Sequence, residues 1–200
     1  MQICFEDVYK RYGGKEVLRR VNARFCPPKP VCIMGPSGIG KTTLLRLAMG
    51  LETPDSGKVR LCGGDRFAPV FQEDRLCEGS SGISNLRLVV NKHTSDEELK
   101  ALLGEMGLAP ADQSRAVYEL SGGMKRRLAI ARALAAPADA LVMDEPLKGL
   151  DRDTRALVVQ TILRRAAGRL LLIVTHSEQE AELFGAERFV LNENGSTGFL

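Results

Sequence analysis

Residues 31–43 read VCIMGPSGIGKTT, and this stretch decides the fold of the 200-residue chain. Its first four residues are a continuous apolar run, which is typical of a strand buried on both faces of a parallel sheet. The letters GPSGIGKT match the pattern GxxxxGK followed by Ser or Thr, a glycine-rich loop that joins such a strand to a helix. We predict that helix from about Lys41 to Met49. A strand, a loop and a helix in this order indicate an α/β domain with a mostly parallel sheet.

The loop has the composition of a phosphate-binding site. Gly35, Gly38 and Gly40 allow backbone N–H groups to point at phosphate oxygens, and the positive end of the helix dipole adds to the attraction. Lys41 is placed to reach the β- and γ-phosphates of a nucleotide. Thr42 is placed to put its hydroxyl on a magnesium ion that bridges the same phosphates. An ordinary glycine turn is the alternative.

The second half of the chain repeats this alternation of strand and helix. Apolar runs at 140–143 and 170–174 predict two more buried strands. Each run leads into a predicted helix, from about residue 153 to 167 and from about residue 177 to 184. The alternation predicts an α/β fold with right-handed crossovers and with these strands in one mostly parallel sheet.

Two segments depart from the alternation. Residues 2–25 read as short strands broken by Gly13 and Gly14, and antiparallel pairing is expected there. Between residues 77 and 136 no convincing strand appears, and apolar residues recur at helical spacing after the cap candidate Ser95. An antiparallel β part and an inserted helical subdomain are therefore expected beside the parallel sheet.

The whole chain is expected to form one domain, since 200 residues suffice for a single core. Its α/β core, with the antiparallel part, is assigned to residues 1–76 and 137–200, and the helical subdomain to residues 77–136. The small, polar residues at 77–85 predict a mobile connection.

Composition excludes several classes of protein. The 28 basic and 25 acidic residues leave a net charge of +3, too small for a nucleic-acid binder. Five cysteines without a CxxC pair indicate neither a disulfide framework nor a zinc site. No apolar stretch is long enough to cross a bilayer, and the first residues do not resemble a secretory leader. A cytoplasmic protein is therefore expected.

Three side chains that can support phosphate chemistry follow the buried runs. Asp144 and Glu145 close the run at 140–143, and His176 follows the run at 170–174. The carboxyl ends of parallel strands meet beside the ligand crevice. Asp144 can therefore hold magnesium through its water shell, and Glu145 can act as general base on the attacking water. His176 can bond a γ-phosphate or that water. Helix caps or solvated turn residues are the alternative for the two acids, and an ordinary strand-end partner is the alternative for His176.

A second helix start resembles an anion site. Ser121 is an N-cap candidate, and the two glycines after it free the backbone for close approach. The basic set Lys125, Arg126 and Arg127 follows near the start of the same helix. Because one phosphate loop is already present, this second cradle points to another subunit, and a simple helix cap is the alternative.

Together these residues resemble the nucleotide-binding ATPase subunit of ATP-binding cassette transporters. The similarity spans nearly the whole chain and implies a phosphate-loop NTPase fold of the RecA-like type. The matching segments, in chain order, are RYGG with Tyr12, GPSGIGKTT at 35–43, FQED with Gln72, LSGGM at 120–124, LVMDEP at 141–146, LKGLD at 147–151 and His176.

The resemblance implies a magnesium-dependent ATPase that works as a head-to-tail homodimer with two shared ATP molecules. It implies nucleotide contacts at Gly35, Pro36, Ser37, Gly38, Ile39, Gly40, Lys41, Thr42 and Thr43, and stacking of adenine on Tyr12. It implies that Thr42, Gln72 and Asp144 serve the metal, and that Glu145, His176, Lys41 and Gln72 serve catalysis. It further implies that Ser121, Gly122 and Gly123 bind the γ-phosphate held by the partner, and that Asp151 communicates across the dimer.

The branch that FQEDRL resembles most is that of importers for nitrate, sulfonate, taurine or similar small solutes. Membrane permease subunits, and indirectly a solute-binding protein, are then the expected partners at the cytoplasmic face of the membrane, with no nucleic acid. Residues 77–85 and Lys148-Gly149 depart from the family pattern at the docking segment and the D-loop. A soluble cassette protein that remodels another complex is the alternative. A third alternative, a phosphate-loop kinase or GTPase, would explain the phosphate loop but would give LSGGM and Gln72 no function.

Overall fold

Two β-sheets organise the part of the chain that this computed structural model describes, residues 1–192 and 197–199. The antiparallel sheet has the order β2-β1-β4, with β1 at Gln2–Tyr12, β2 at Lys15–Phe25 and β4 at Ser56–Cys62. The larger sheet has the order β5-β6-β7-β3-β8-β9, with β3 at Val31–Met34, β5 at Phe67–Val70, β6 at Ala140–Asp144, β7 at Leu170–Val174, β8 at Glu187–Leu191 and β9 at Thr197–Phe199.

The larger sheet confirms the predicted α/β class. Strands β5, β6, β7, β3 and β8 pair parallel in that order, and β9 pairs antiparallel to β8. The three apolar runs predicted as buried strands are β3, β6 and β7, and every residue in them is buried. Pro69 lies in β5 at the edge of the sheet, where a missing N–H is tolerated.

The prediction of short strands at residues 2–25 is wrong, because β1 and β2 are eleven residues each. Bulges explain the misleading pattern. The register shifts between Phe5 and Val8, and both Asp7 and Arg20 have φ of 47°. An extra residue in a bulge moves the next apolar side chain by one position, so strict alternation is lost although the strand continues.

The core consists of two apolar clusters, one on each face of the parallel sheet. In β3, Val31 and Ile33 face the antiparallel sheet, whereas Cys32 and Met34 face the helical insert. This alternation is the period of two that a pleated strand imposes. The sheet is therefore covered on both sides, and its ligand crevice lies at the carboxyl edge.

Three helices cover the core close to their predicted positions: α1 at Lys41–Ala48, α6 at Arg152–Arg165 and α7 at Glu178–Leu183. The insert contains α2 at Gly82–Arg87, α3 at Asp96–Glu105, α4 at Pro110–Gln113, a 3₁₀ turn at Val117–Glu119 and α5 at Gly122–Ala135. Across the described residues, no helix combines the length and the apolar character that a membrane span requires.

The insert confirms the helical prediction for residues 77–136, all of which are described and none of which belongs to a strand apart from an isolated bridge. Ser95 caps α3 through a complete capping box, in which its hydroxyl accepts from the Glu98 N–H and the Glu98 carboxylate accepts from the Ser95 N–H. The reciprocal bonds satisfy two otherwise unpaired backbone donors, which fixes where the helix begins.

The expected mobile connection at residues 77–85 is instead a folded segment. Asn85 is fully buried, its amide oxygen accepts from the Cys77 N–H at 2.8 Å, and its amide nitrogen donates to the carbonyls of Cys77 and Ser81. The Ser81 hydroxyl caps α2. The small residues serve a tight turn and a helix start, so the prediction from composition is wrong here.

Candidate functional site

The glycine-rich loop packs too closely against the core to carry side chains at two positions. A Cβ on Gly35 would lie 2.5 Å from the Leu191 carbonyl oxygen, and one on Gly40 would lie 2.8 Å from the Leu18 Cδ2 atom. Both glycines have positive φ, 144° and 110°. Gly40 is the N-cap of α1 and provides no side-chain acceptor. The first N–H groups of α1 are therefore left for an anion, as predicted for a phosphate site.

Lys41 closes the loop from inside. Its Nζ donates to the carbonyl oxygens of Gly35 at 2.7 Å and Pro36 at 2.8 Å. Burial lowers the pKa of Lys41, whereas the nearby carboxylates of Glu145 and Asp144 favour its charged form. A half-buried ammonium that is held only by neutral carbonyls is ready to exchange them for phosphate oxygens.

Thr42 and Asp144 join α1 to the end of β6. The Thr42 Oγ1 donates to the Asp144 Oδ2 at 2.8 Å. Burial raises the pKa of Asp144, against the lowering effect of the bond from Thr42. Because Asp144 is buried, the alternative of a solvated turn residue does not apply to it. A hydroxyl and a carboxylate, with the Gln72 amide lining the same cavity, form the hard oxygen donor set that magnesium prefers.

Glu145 has an unusual backbone and two partners. Its φ is 49°, in the left-handed region, and its N–H donates to the Val174 carbonyl at 2.9 Å. Its Oε1 lies 3.5 Å from the His176 Nδ1, and its Oε2 lies 3.4 Å from the Lys148 Nζ. The predicted acid and histidine thus meet at the carboxyl ends of β6 and β7.

The guanidinium of Arg126 organises these loops, a role that the sequence analysis missed. It reaches from α5 and is almost fully buried. It donates to five acceptors, which are the carbonyls of Phe71, Asp144, Glu145 and Pro146 and the carboxylate of Asp74. The spacing of Arg126 from the buried Ala129, Ile130 and Ala133 could have revealed that it is buried, though not which groups it binds, because a helical stripe continues at i+3, i+4 and i+7.

The other two members of the basic set, Lys125 and Arg127, bond to groups within the insert. The Lys125 Nζ lies 2.8 Å from the Glu78 Oε2, and Arg127 donates to the carbonyls of Met106 and Gly107. These two side chains therefore hold the insert together, whereas Arg126 joins it to the loops of the α/β core.

A cavity of about 280 Å³ brings most of the predicted residues together. It is lined by Tyr12, Val17, Ser37, Gly38, Gly40, Lys41, Thr42, Thr43, Gln72, Asp144, Glu145 and Val174. Pro36 and Ile39 line an adjoining cavity of about 370 Å³. A larger cavity of about 880 Å³ between α6 and α7 contains no phosphate-loop residue, so volume alone does not identify the site.

Tyr12 lies at the rim of the 280 Å³ cavity. Its hydroxyl donates to the Glu52 carboxylate, and the Lys10 Nζ lies 5.2 Å from the centre of its ring. These contacts hold an aromatic ring at the mouth of the phosphate site, which is where the resemblance expects an adenine to stack.

Eight predicted residues do not line this cavity: Gly35, Pro36, Ile39 and His176, which are described above, and four residues at two helix starts. Ser121, Gly122 and Gly123 form the start of α5, where the Ser121 hydroxyl accepts from the Met124 N–H at 3.3 Å. Asp151 caps α6, accepting from the Thr154 N–H at 2.9 Å and from its hydroxyl at 2.7 Å, and these bonds lower the pKa of Asp151. The cap alternative is therefore confirmed for Ser121, and Asp151 also serves as a cap. Neither role accounts for the two glycines.

Comparison with known proteins identifies the class. Residues 18–148 match the family model described as ABC transporter. The chain is 39% identical over 201 residues to the aliphatic sulfonates import ATP-binding protein of Albidiferax ferrireducens, covering 96% of this chain and 71% of that protein. It is 37% identical over 198 residues to the Nod factor export ATP-binding protein I of Paraburkholderia xenovorans, covering 90% of this chain and 64% of that protein.

A solved structure, the dimeric form of a bacterial ABC transporter cassette, aligns with a TM-score of 0.84 and 26% identity over 99% of this chain and 98% of that one. The fold and the site thus define a phosphate-loop nucleotide-binding domain. The chain belongs to the ABC transporter family. Within that family it is the ATP-binding subunit.

The position of Lys41 leads to a prediction for binding. We expect Lys41→Ala to weaken the binding of a non-hydrolysable ATP analogue about 10- to 100-fold, since a hydrogen-bonded charge contributes about 1.5–3 kcal/mol. Titration calorimetry measures the change. The exposed Lys58→Ala on β4 is the matched control and should bind as the wild type does. Equal affinity of all three proteins would contradict the assignment of the phosphate loop.

Proposed function

We propose that this chain is the ATP-hydrolysing motor subunit of an importer for a small sulfonate-like solute. The observation that carries the hydrolytic part is the convergence of Lys41, Thr42, Asp144 and Glu145 on one cavity. The identity to sulfonate import ATP-binding proteins supports the importer branch. Nod factor export proteins are similar to a comparable extent, so the direction of transport rests on the resemblance of FQEDRL and not on identity alone.

In the proposed reaction the phosphate loop binds the triphosphate through backbone N–H groups and Lys41. A water molecule attacks the γ-phosphorus, the bond to the bridging oxygen breaks, and ADP leaves with the electron pair. Glu145 accepts the proton that the water loses, because its carboxylate lines the cavity beside the phosphate loop. His176, 3.5 Å from Glu145, orients that carboxylate and can bond the γ-phosphate.

Thr42, Gln72 and Asp144 would hold a magnesium ion. Their oxygens suit the ion, and Thr42 and Asp144 are already in contact. When bound, the ion neutralises charge on the β- and γ-phosphates. Thr42 and Asp144 contribute the fixed positions of a hydroxyl and a buried carboxylate, which the bond between them sets before any ligand arrives.

The start of α5 is proposed to serve a second copy of the chain. Ser121 and Gly122 are exposed, and a Cβ on Gly122 would meet no atom within 4 Å. An exposed helix start with open space over its glycine can receive a phosphate that another subunit holds. Asp151 would lie at the same interface and report closure from one copy to the other.

The permease contact is proposed beside Gln72. A mostly apolar cavity of about 270 Å³ lies between β5 and α5, where it is lined by residues that include Phe71, Arg75 and Val89. Leu88 next to it is 66% exposed. An exposed apolar side chain at the rim of such a cavity is suited to a protein partner. Because this cavity adjoins the segment that carries Gln72, a partner bound there would be linked to the nucleotide site through that segment.

Mixing two defective variants tests the shared site. Ser121→Asp keeps an N-cap residue but places a negative charge toward a phosphate, whereas Lys41→Ala disables the phosphate loop. Each variant alone should hydrolyse little ATP. A 1:1 mixture contains one competent pocket in each mixed dimer, so we expect about one quarter of the wild-type rate per chain. A mixture no more active than its two components would overturn the head-to-tail dimer.

A further inference from the structure

The turn after Glu145 presents a lysine at its tip. Leu147 and Leu150 are buried and anchor the turn, and the Leu150 N–H donates to the Leu147 carbonyl at 3.2 Å. Lys148 and Gly149 between them are exposed. A Cβ on Gly149, whose φ is 77°, would meet no atom within 4 Å. The two leucines therefore hold the ends of the turn in the core, while the two residues at its tip remain accessible to solvent.

The lysine at this tip contacts the proposed general base. The Lys148 Nζ lies 3.4 Å from the Glu145 Oε2, while the other oxygen of Glu145 lies 3.5 Å from the His176 Nδ1. Both carboxylate oxygens thus face a nitrogen. The backbone of Glu145 cannot follow a moving side chain easily, because its N–H is bonded to Val174 and its carbonyl to Arg126.

Lys148 approaches Glu145 from outside the nucleotide cavity. Glu145 is among the residues that line that cavity, and Lys148 is not. Lys41 already supplies an ammonium on the inner side, where it is held by the loop carbonyls. Lys148 is thus placed to act on the carboxylate and not on the phosphates.

We propose that Lys148 is a positioning residue that restrains Glu145 and keeps ATP hydrolysis slow until the pair is released. An oxygen that faces an ammonium is held away from the attacking water. The inference rests on the proposed function, since it requires Glu145 to be the base. Release is easy, because Lys148 is 62% exposed and an exposed ion pair shifts an equilibrium only about two- to fivefold.

Steady-state ATP hydrolysis by the full chain tests the restraint. We expect Lys148→Ala to raise kcat about two- to fivefold with an unchanged KM for ATP, because the residue does not touch the nucleotide. Lys148→Arg should restore the restraint and bring kcat back near the wild-type value. In a Glu145→Gln background, Lys148→Ala should have no effect, because the restraint acts through the carboxylate.

A lower kcat for Lys148→Ala would mean that the lysine assists hydrolysis, and an unchanged kcat would mean that it does nothing. Either result overturns the restraint while leaving the proposed function in place, provided that the wild type hydrolyses ATP. If neither the wild type nor Lys148→Ala hydrolyses ATP, the proposed function fails and the restraint fails with it. An increase that persists in the Glu145→Gln background would also contradict a restraint acting through Glu145.

Discussion

Glu145→Gln is expected to lower kcat for ATP hydrolysis by roughly 10²- to 10⁴-fold, the usual contribution of a general base. Glutamine has nearly the same size, but its amide cannot accept the proton that the attacking water must lose. Because the Glu145 side chain itself lines the nucleotide cavity, the substitution acts directly on the reacting water and does not require a rearrangement of the site. Single-turnover hydrolysis with saturating ATP measures the chemical step directly.

Nucleotide binding should survive this substitution. The phosphate contacts come from the loop and Lys41, which Glu145→Gln does not alter, so the affinity for ATP should stay within a few-fold of the wild type. Glu6→Gln, which removes an exposed charge on β1, is the matched control and should hydrolyse ATP normally. Undiminished turnover in Glu145→Gln would exclude Glu145 as the base.

Arg126→Met is expected to lower the free energy of unfolding by about 3–5 kcal/mol. Methionine fills part of the space but donates no hydrogen bond. The Asp74 carboxylate and four backbone carbonyls would then lose the buried guanidinium that satisfies them. Leaving buried acceptors unpaired is what makes such a change severe. Urea denaturation followed by circular dichroism measures it.

Lys125→Met on the same helix is the control for this prediction. Lys125 pairs with Glu78, which is more than half exposed, so its loss should cost at most about 1 kcal/mol. The two variants remove one positive charge each from adjacent positions, and they differ in burial and in the number of bonds lost. Similar unfolding free energies for the two variants would contradict the structural role of Arg126.

The parts of the fold that were predictable are those in which local pattern and tertiary context agree. The runs that became β3, β6 and β7 are apolar throughout because both faces of the sheet are covered. The glycine-rich loop was predictable because its positive φ values and its close approach to β8 and β2 tolerate few other residues. Ser95 and Ser121 cap helices where the sequence placed caps.

Other elements could not be predicted, because long-range contacts decide them. Strand β4 is exposed along nearly its whole length and β5 contains a proline, so neither has a strand pattern of its own. The bulges hide the length of β1 and β2. Arg126 was read as part of a basic surface, because nothing local indicates the carbonyls that arrive from residues 71 and 144–146.

The bonds of Arg126 also couple two motions. Arg126 lies less than two turns after Ser121 in α5. Its guanidinium donates to the carbonyl of Glu145, the residue with the left-handed backbone. While these bonds hold, any rotation of the inserted subdomain against the sheet would shift the backbone of Glu145. The tilt of the subdomain and the placement of this acid would then vary together.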